Sequence, residues 1–160
     1  MKILFTRTID FTYKQTLQQA GFEVLEYNFL KTRALPNAKD AILDEIQQIK
    51  NLVFTSQNAV KIFFETLAEA QLSKSFKLLE SYNTSRLKTF STSGATKDLI
   101  EKYGISPTLS AYSAKELAYL MLEKADLSQG VHFLCGTISL PYLPNILSQN
   151  SVSVKKITVY

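Results

Sequence analysis

The chain has little with which to build covalent or metal chemistry. It contains one cysteine, Cys135, and one histidine, His132. A single cysteine excludes an intramolecular disulfide framework and fits a reducing compartment. Without a second histidine or a cysteine cluster, no zinc site is expected. There is no G-x-x-x-x-G-K-[ST] loop and no G-x-G-x-x-G. Neither a nucleoside-triphosphate cradle nor a dinucleotide fingerprint is therefore supported. No apolar run approaches the roughly 20 residues of a membrane helix. The N-terminal apolar run, Ile3 to Phe5, is too short for a signal peptide. Like-charge runs are absent too. The basic residues Lys2, Lys14, Lys31, Arg33, Lys61, Lys88, Lys97 and Lys102 are scattered, which argues against a nucleic-acid stripe. A cytoplasmic protein with no membrane or nucleic-acid partner is the expectation.

What is present suits a globular fold. Hydrophobic residues make up 46% of the 160, enough to bury a real core. The net charge of +4 is a mild bias that favours an anionic ligand.

Short apolar runs alternate with helical spacing along the chain. Residues 2–6 read as a buried strand, 10–20 as a helix stopped by Gly21, and 22–27 as a second strand. Residues 31–37 form a connection, and Ile42, Ile46 and Ile49 have helical spacing over 38–49. Residues 51–55 are the next strand, followed by an amphipathic helix capped by Ser56. Residues 72–86 are polar, with a weak helical pattern. A strand over 87–91 leads to a helix closed by Gly104, and Pro107 marks a loop. Ser113 and Glu116 stand in capping-box register at the start of a helix over 113–124. A strand over 130–135, a short helix over 140–149 limited by Pro141 and Pro144, and β-type sequence over 152–160 complete the chain. The alternation predicts an α/β fold: a mostly parallel, open, flavodoxin-like sheet with helices on both faces.

In such sheets ligands bind beyond the C-terminal strand edge, where loops enter helices. Four such loops are rich in hydroxyl side chains: Thr6-Arg7-Thr8, Thr55-Ser56-Gln57-Asn58, Ser91-Thr92-Ser93-Gly94-Ala95-Thr96 and Gly136-Thr137-Ile138-Ser139. Each offers N–H groups at a helix start, where the dipole favours an anion. The same residue types also serve as plain helix caps. His132 sits in an apolar strand and reads as packed there rather than as a proton shuttle. Cys135, at a strand end near the cleft, reads as a small buried residue rather than a nucleophile. The carboxylates Asp44, Glu45, Glu65, Glu69, Glu101 and Glu116 read as solvated helix faces.

Several segments carry a family resemblance in order along the chain. Phe54-Thr55-Ser56 with Asn58-Ala59-Val60, then Ala95, Thr96, Leu99, Gly104 and Ile105, then SAKELAYLM, then HFLCGTISLPYLPNIL, and the closing VSVKKITVY resemble the uroporphyrinogen-III synthase family. KILFTR and Gly21-Phe22-Glu23-Val24 are similar as well. The chain departs from the family pattern at Ser93, where glycine is usual, at Asn28, where proline is common, and at Leu140, where a basic residue is common. The resemblance implies cyclisation of hydroxymethylbilane to uroporphyrinogen III with inversion of the last pyrrole ring. It implies no metal and no organic cofactor, and a polycarboxylate tetrapyrrole as ligand. Tyr160 matches a tyrosine that aids loss of the terminal hydroxyl; the alternative is a plain strand aromatic. Thr96 matches a threonine near the substrate. Candidate substrate binders are Thr55, Ser56, Asn58, Ser93, Gly94, Ser113, Gly136 and Thr137. Arg7 is a candidate for bidentate carboxylate pairing, with a surface role as its alternative.

The resemblance also implies a domain plan. Residues 1–33 would open a first, incomplete β-α-β domain, 34–157 would form the second, and 158–160 would begin a return connection. Family members are monomers; self-association is expected here if residues 1–33 expose apolar surface. The second functional reading is a non-catalytic tetrapyrrole- or anion-binding remnant of the same fold. A third is an unrelated interaction domain, since fold does not fix function.

Overall fold

Short strands of three to five residues alternate with helices along most of the chain. The computed structural model describes residues 1–29, 31–71 and 87–160. The weak helical pattern of residues 72–86 lies outside the described residues. The chain divides into two compact units, Met1–Arg33 and Ala34–Tyr160.

The first unit is one β-α-β turn: β1 (Lys2–Phe5), α1 (Phe11–Gln19) and β2 (Glu23–Glu26). The strands are parallel, with Ile3 opposite Val24 and Leu4 opposite Leu25. Asp10 caps α1, accepting from the backbone N–H groups of Thr12 at 2.9 Å and Tyr13 at 3.3 Å. Gly21 ends the turn at φ +83°, a conformation that other residues adopt at a cost. Lys14 pairs with Glu26, which also accepts from the Ile9 N–H at 2.9 Å. None of the described residues of this unit is buried, and Leu4, Phe11, Tyr13, Leu25, Tyr27 and Phe29 are exposed. Two strands and one helix are too few to enclose a core.

The second unit holds a five-stranded, all-parallel sheet of β3 (Asn51–Phe54), β4 (Lys88–Thr92), β5 (Leu109–Ala111), β6 (Val131–Cys135) and β7 (Val154–Thr158). The order is β5-β4-β3-β6-β7. Counted within the unit this is 3-2-1-4-5, the doubly wound order, whereas flavodoxin runs 2-1-3-4-5. Helices α2 (Ala38–Glu45), α3 (Gln57–Gln71), α4 (Ala95–Lys102), α5 (Ala114–Lys124) and α6 (Tyr142–Gln149) cover both faces.

The period of two along β3 sorts the core. Leu52 and Phe54 face Ile42, Ile46, Phe63 and Ile100, so α2, α3 and α4 lie on one side. Val53 faces the other way, with Phe90, Phe133, Leu117, Met121, Leu143 and Leu147, which puts α5 and α6 opposite. Phe54 meets Phe63 edge-on at 5.6 Å between ring centroids. Every residue of β3 is buried, as the central strand of such a sheet must be.

Three local outcomes differ from the sequence pattern. Leu109–Ala111 is a strand, where Pro107 suggested only a loop. It is a short edge strand held by ladder bonds to β4 and by a contact between Ser91 Oγ and Ser110 Oγ at 3.1 Å, so no apolar run announces it. The helical spacing over 38–49 ends early: α2 stops at Glu45, a 3₁₀ turn spans Ile46–Gln48, and Ile49 is extended. Pro141 and Pro144 begin α6 instead of bounding it, because first-turn N–H groups have no helical partner to lose.

His132 packs in its strand, with 7% of its surface exposed. Burial pushes its imidazole below the ordinary value of 6.5, against an upward pull from Glu45. The unfolded chain therefore takes up a proton as pH falls through 6.5, before the folded chain does. Stability present above that value is lost as pH falls toward the lower folded pKa. Glu26, Glu45 and Asp126 are shifted down from 4.5, 4.5 and 3.8, so their losses come at lower pH. Urea unfolding from about pH 7.5 to about pH 5.5 should show falling stability, and His132→Gln should flatten the slope. A flat wild-type profile would contradict the assignment.

Candidate functional site

All five strands run the same way, so every strand-to-helix loop leaves from one edge. β3 and β6 are neighbours, yet α3 leaves for one face of the sheet and α6 for the other. That divergence opens a crevice at the switch point of the strand order. A cavity of about 440 Å³ occupies it. Its wall includes Thr55 and Ser56 after β3, Thr92 at the end of β4 and Ser93 after it, Ser113 at the start of α5, and Gly136 and Ser139 after β6. Tyr160 closes it.

Tyr160 is fixed by three contacts. Its hydroxyl donates to Ser56 Oγ at 2.7 Å. Its backbone carbonyl accepts from the Thr137 N–H at 2.7 Å. Its ring lies over Gly136 so closely that a Cβ there would stand 2.7 Å from Cε2 and 2.9 Å from Cζ. Any side chain at this position would force the ring to shift. Ser56 Oγ also accepts from the Ala59 N–H at 3.2 Å, capping α3. Both its lone pairs are then engaged, which leaves its own hydrogen for a ligand. Ser113 Oγ caps α5 by accepting from the Glu116 N–H at 3.1 Å, so capping and an available hydroxyl coexist there too.

Among the described residues, no charged side chain lines this cavity. Attraction for an anion comes from hydroxyls and from the N-terminal ends of α3, α5 and α6, which begin at this edge. A neighbouring cavity of about 700 Å³ shares Ser93 and Tyr112 but carries Lys97, Asp98 and Glu116. It is the larger of the two, but it sets two carboxylates against one ammonium, which suits an anion less well than the neutral donors beside it.

The sequence candidates are partly brought together. Thr55, Ser56, Ser93, Ser113, Gly136 and Tyr160 share the one cavity, and Gly94 lines its neighbour. Thr96 is buried in the first turn of α4 and is on neither wall, and Asn58, in the first turn of α3, is also outside both. Thr137 is exposed, and its N–H is already given to Tyr160. The Ser93 N–H is likewise given to the Ala111 carbonyl at 2.7 Å. These two loops thus offer fewer free N–H groups than their sequences suggest. Arg7 is exposed in the first unit. Cys135 is on the cavity wall but only 2% exposed. Tyr112, 91% exposed, joins both cavities and was not legible, because a lone aromatic before a cap has no distinguishing pattern. Leu140 lines the wall of the first cavity.

A doubly wound parallel sheet with a hydroxyl-lined crevice at its switch point defines an α/β protein with a candidate ligand site at that edge. A family model described as uroporphyrinogen-III synthase HemD matches residues 12–160, and the chain belongs to the uroporphyrinogen-III synthase family. Among solved structures it is similar to wild-type uroporphyrinogen III synthase from Thermus thermophilus, with 17% identity, TM-score 0.62, and coverage of 100% of this chain and 61% of that one. It is also similar to a mutant of the same enzyme, with 16% identity, TM-score 0.70, and coverage of 99% and 61%. At this identity the likeness speaks to fold alone. The chain spans about 61% of the length of these relatives. No curated protein matches it.

Gly136→Ala should dislodge the Tyr160 ring and break its bond to Ser56. Overpacking of this kind costs about 1–3 kcal/mol. The readout is the set of Tyr160 ring proton resonances and their cross-relaxation to residue 136. Unchanged ring resonances would show that the close approach is not a constraint.

Proposed function

We propose that the chain serves the cyclisation of hydroxymethylbilane to uroporphyrinogen III with inversion of the last pyrrole ring, a step of tetrapyrrole and haem biosynthesis. The observation that carries this reading, beside family membership, is the hydroxyl-lined crevice closed by Tyr160. The substrate carries many carboxylates and loses its terminal hydroxyl as water. Neutral hydroxyls and helix ends hold such groups without immobilised counter-charges. Catalysis rests mainly on holding a flexible chain so that its two ends meet.

Tyr160 is the residue we assign to the departing hydroxyl. Its phenol proton is directed at Ser56, so protonating the leaving oxygen requires release of that bond. Ser56 thereby parks the phenol when no substrate is present. Thr55, Ser93, Ser113 and the Gly136 loop hold carboxylates. Thr96, Asn58 and Thr137 act as helix and loop supports rather than as substrate contacts. No metal or organic cofactor enters the scheme.

A second reading is favoured by one specific fact. Among the described residues, those lining the crevice all belong to the second unit. That unit can therefore bind a tetrapyrrole without turning it over, as a non-catalytic module of the same fold.

The two readings part in one assay. Fresh hydroxymethylbilane is supplied to the purified chain and the products are separated as isomers I and III. Isomer III in excess is the expected result, with the rate lowered about tenfold or more in Tyr160→Phe, as for loss of a general acid. Isomer I alone at the spontaneous rate would sink the synthase reading, and tight uroporphyrinogen III binding without turnover would establish the module.

A further inference from the structure

The opposite edge of the five-stranded sheet carries a second polar cavity. Lys50 leads into β3, Gly130 into β6 and Ser153 into β7, so this is the N-terminal end of the parallel strands. The cavity holds about 390 Å³, and Gln48, Lys50, Gln129, His132, Ser153 and Lys155 line it. Among the described residues, no carboxylate is on its wall. The lining residues carry two ammonium groups, two carboxamides and a hydroxyl, around a space large enough for a small anion.

Behind the wall stands an incomplete relay. Lys155 Nζ is 2.5 Å from Glu45 Oε1. Glu45 Oε2 is 3.6 Å from His132 Nε2, beyond hydrogen-bond reach. Among the described residues, neither ring nitrogen of His132 has a hydrogen-bond partner, nor does Glu45 Oε2, and all three atoms are closed off from solvent. A buried imidazole and a buried carboxylate oxygen left unpaired cost stability. The crevice at the other edge gives no reason for that cost.

We propose that this edge binds a small dianionic oxyanion between Lys50 and Lys155, with Gln48, Gln129 and Ser153 as neutral donors, and that its occupancy is coupled to protonation of His132. The ligand class is a tetrahedral phosphate- or sulfate-like group or a compact dicarboxylate. Lys155 is half exposed and reaches both Glu45 and the cavity. An anion that engages Lys155 takes away the partner of Glu45. Glu45 is then left facing His132, and a proton on the imidazole restores the lost pairing. Among the described residues, Glu45 from α2 and Lys155 from β7 act on His132, and Lys50 ahead of β3 shares its cavity. By reciprocity, a ligand that favours protonated His132 binds more tightly as pH falls.

His132 is the only histidine, so its ring resonances are a unique probe. The chain is titrated with sulfate and, separately, with malonate, at ionic strength held constant with sodium chloride. Sulfate keeps its charge across the relevant range, so any pH dependence belongs to the protein. The expected result is a saturable movement of the His132 resonances in at least one arm, with the His132 pKa raised by the ligand. Saturation by sulfate alone assigns a tetrahedral group, and saturation by malonate alone a dicarboxylate. Lys50→Gln should weaken binding about two- to fivefold, the scale of losing one exposed charge contact. Lys97→Gln, at the other edge, should leave it unchanged. Movement no larger than with sodium chloride in both arms would overturn the proposal. So would a saturable response indifferent to Lys50→Gln.

Discussion

The ring of Tyr160 rests on the bare backbone of Gly136, and its hydroxyl reaches Ser56 across the switch point of the sheet. This contact ties the loop after β3 to the loop after β6. The two strands are adjacent, but the helices that follow them diverge, and nothing in the strand ladder itself closes the gap between them. The backbone bond from Thr137 to Tyr160 and the burial of Val159 hold the chain end in place for it. The size and lining of the crevice follow. Ser56 is at once a helix cap, the acceptor of the phenol and a wall of the cavity.

The parallel sheet makes such a site possible by aligning helix N-termini along one edge. It also creates the opposite edge, where strands begin. There the same topology gathers Lys50, His132 and Lys155 against the end of α2. The two edges differ in kind. One is neutral and rich in hydroxyls, with a large flexible polyanion as its proposed ligand. The other is cationic and compact, and its buried His132–Glu45 pair gives it a titratable component.

Much of this was legible in the sequence. β3 announces itself because a central parallel strand is buried on both faces, and Asn51–Phe54 is apolar after its first residue. The caps at Ser56 and Ser113 were legible because their chemistry is local. The edge strand Leu109–Ala111 was not, since its pairing is decided by β4 and leaves no period in three residues. The hydroxyl loops do gather at one edge, but their sequences overstate the donors. Whether the N–H of Ser93 or Thr137 is free depends on the Ala111 and Tyr160 carbonyls, which are distant in sequence. Glu45 read as a solvated helix residue for the same reason: its partners, His132 and Lys155, come from strands far along the chain.

The central claim is that the crevice under Tyr160 is where a tetrapyrrole polycarboxylate binds. Backbone amide resonances followed during titration with uroporphyrinogen III test it most directly. The account predicts saturable shifts concentrated at Thr55, Ser56, Ser113 and Gly136, with the Tyr160–Ser56 bond broken in the bound state. Shifts that avoid these residues, or none at all at saturating ligand, would contradict it.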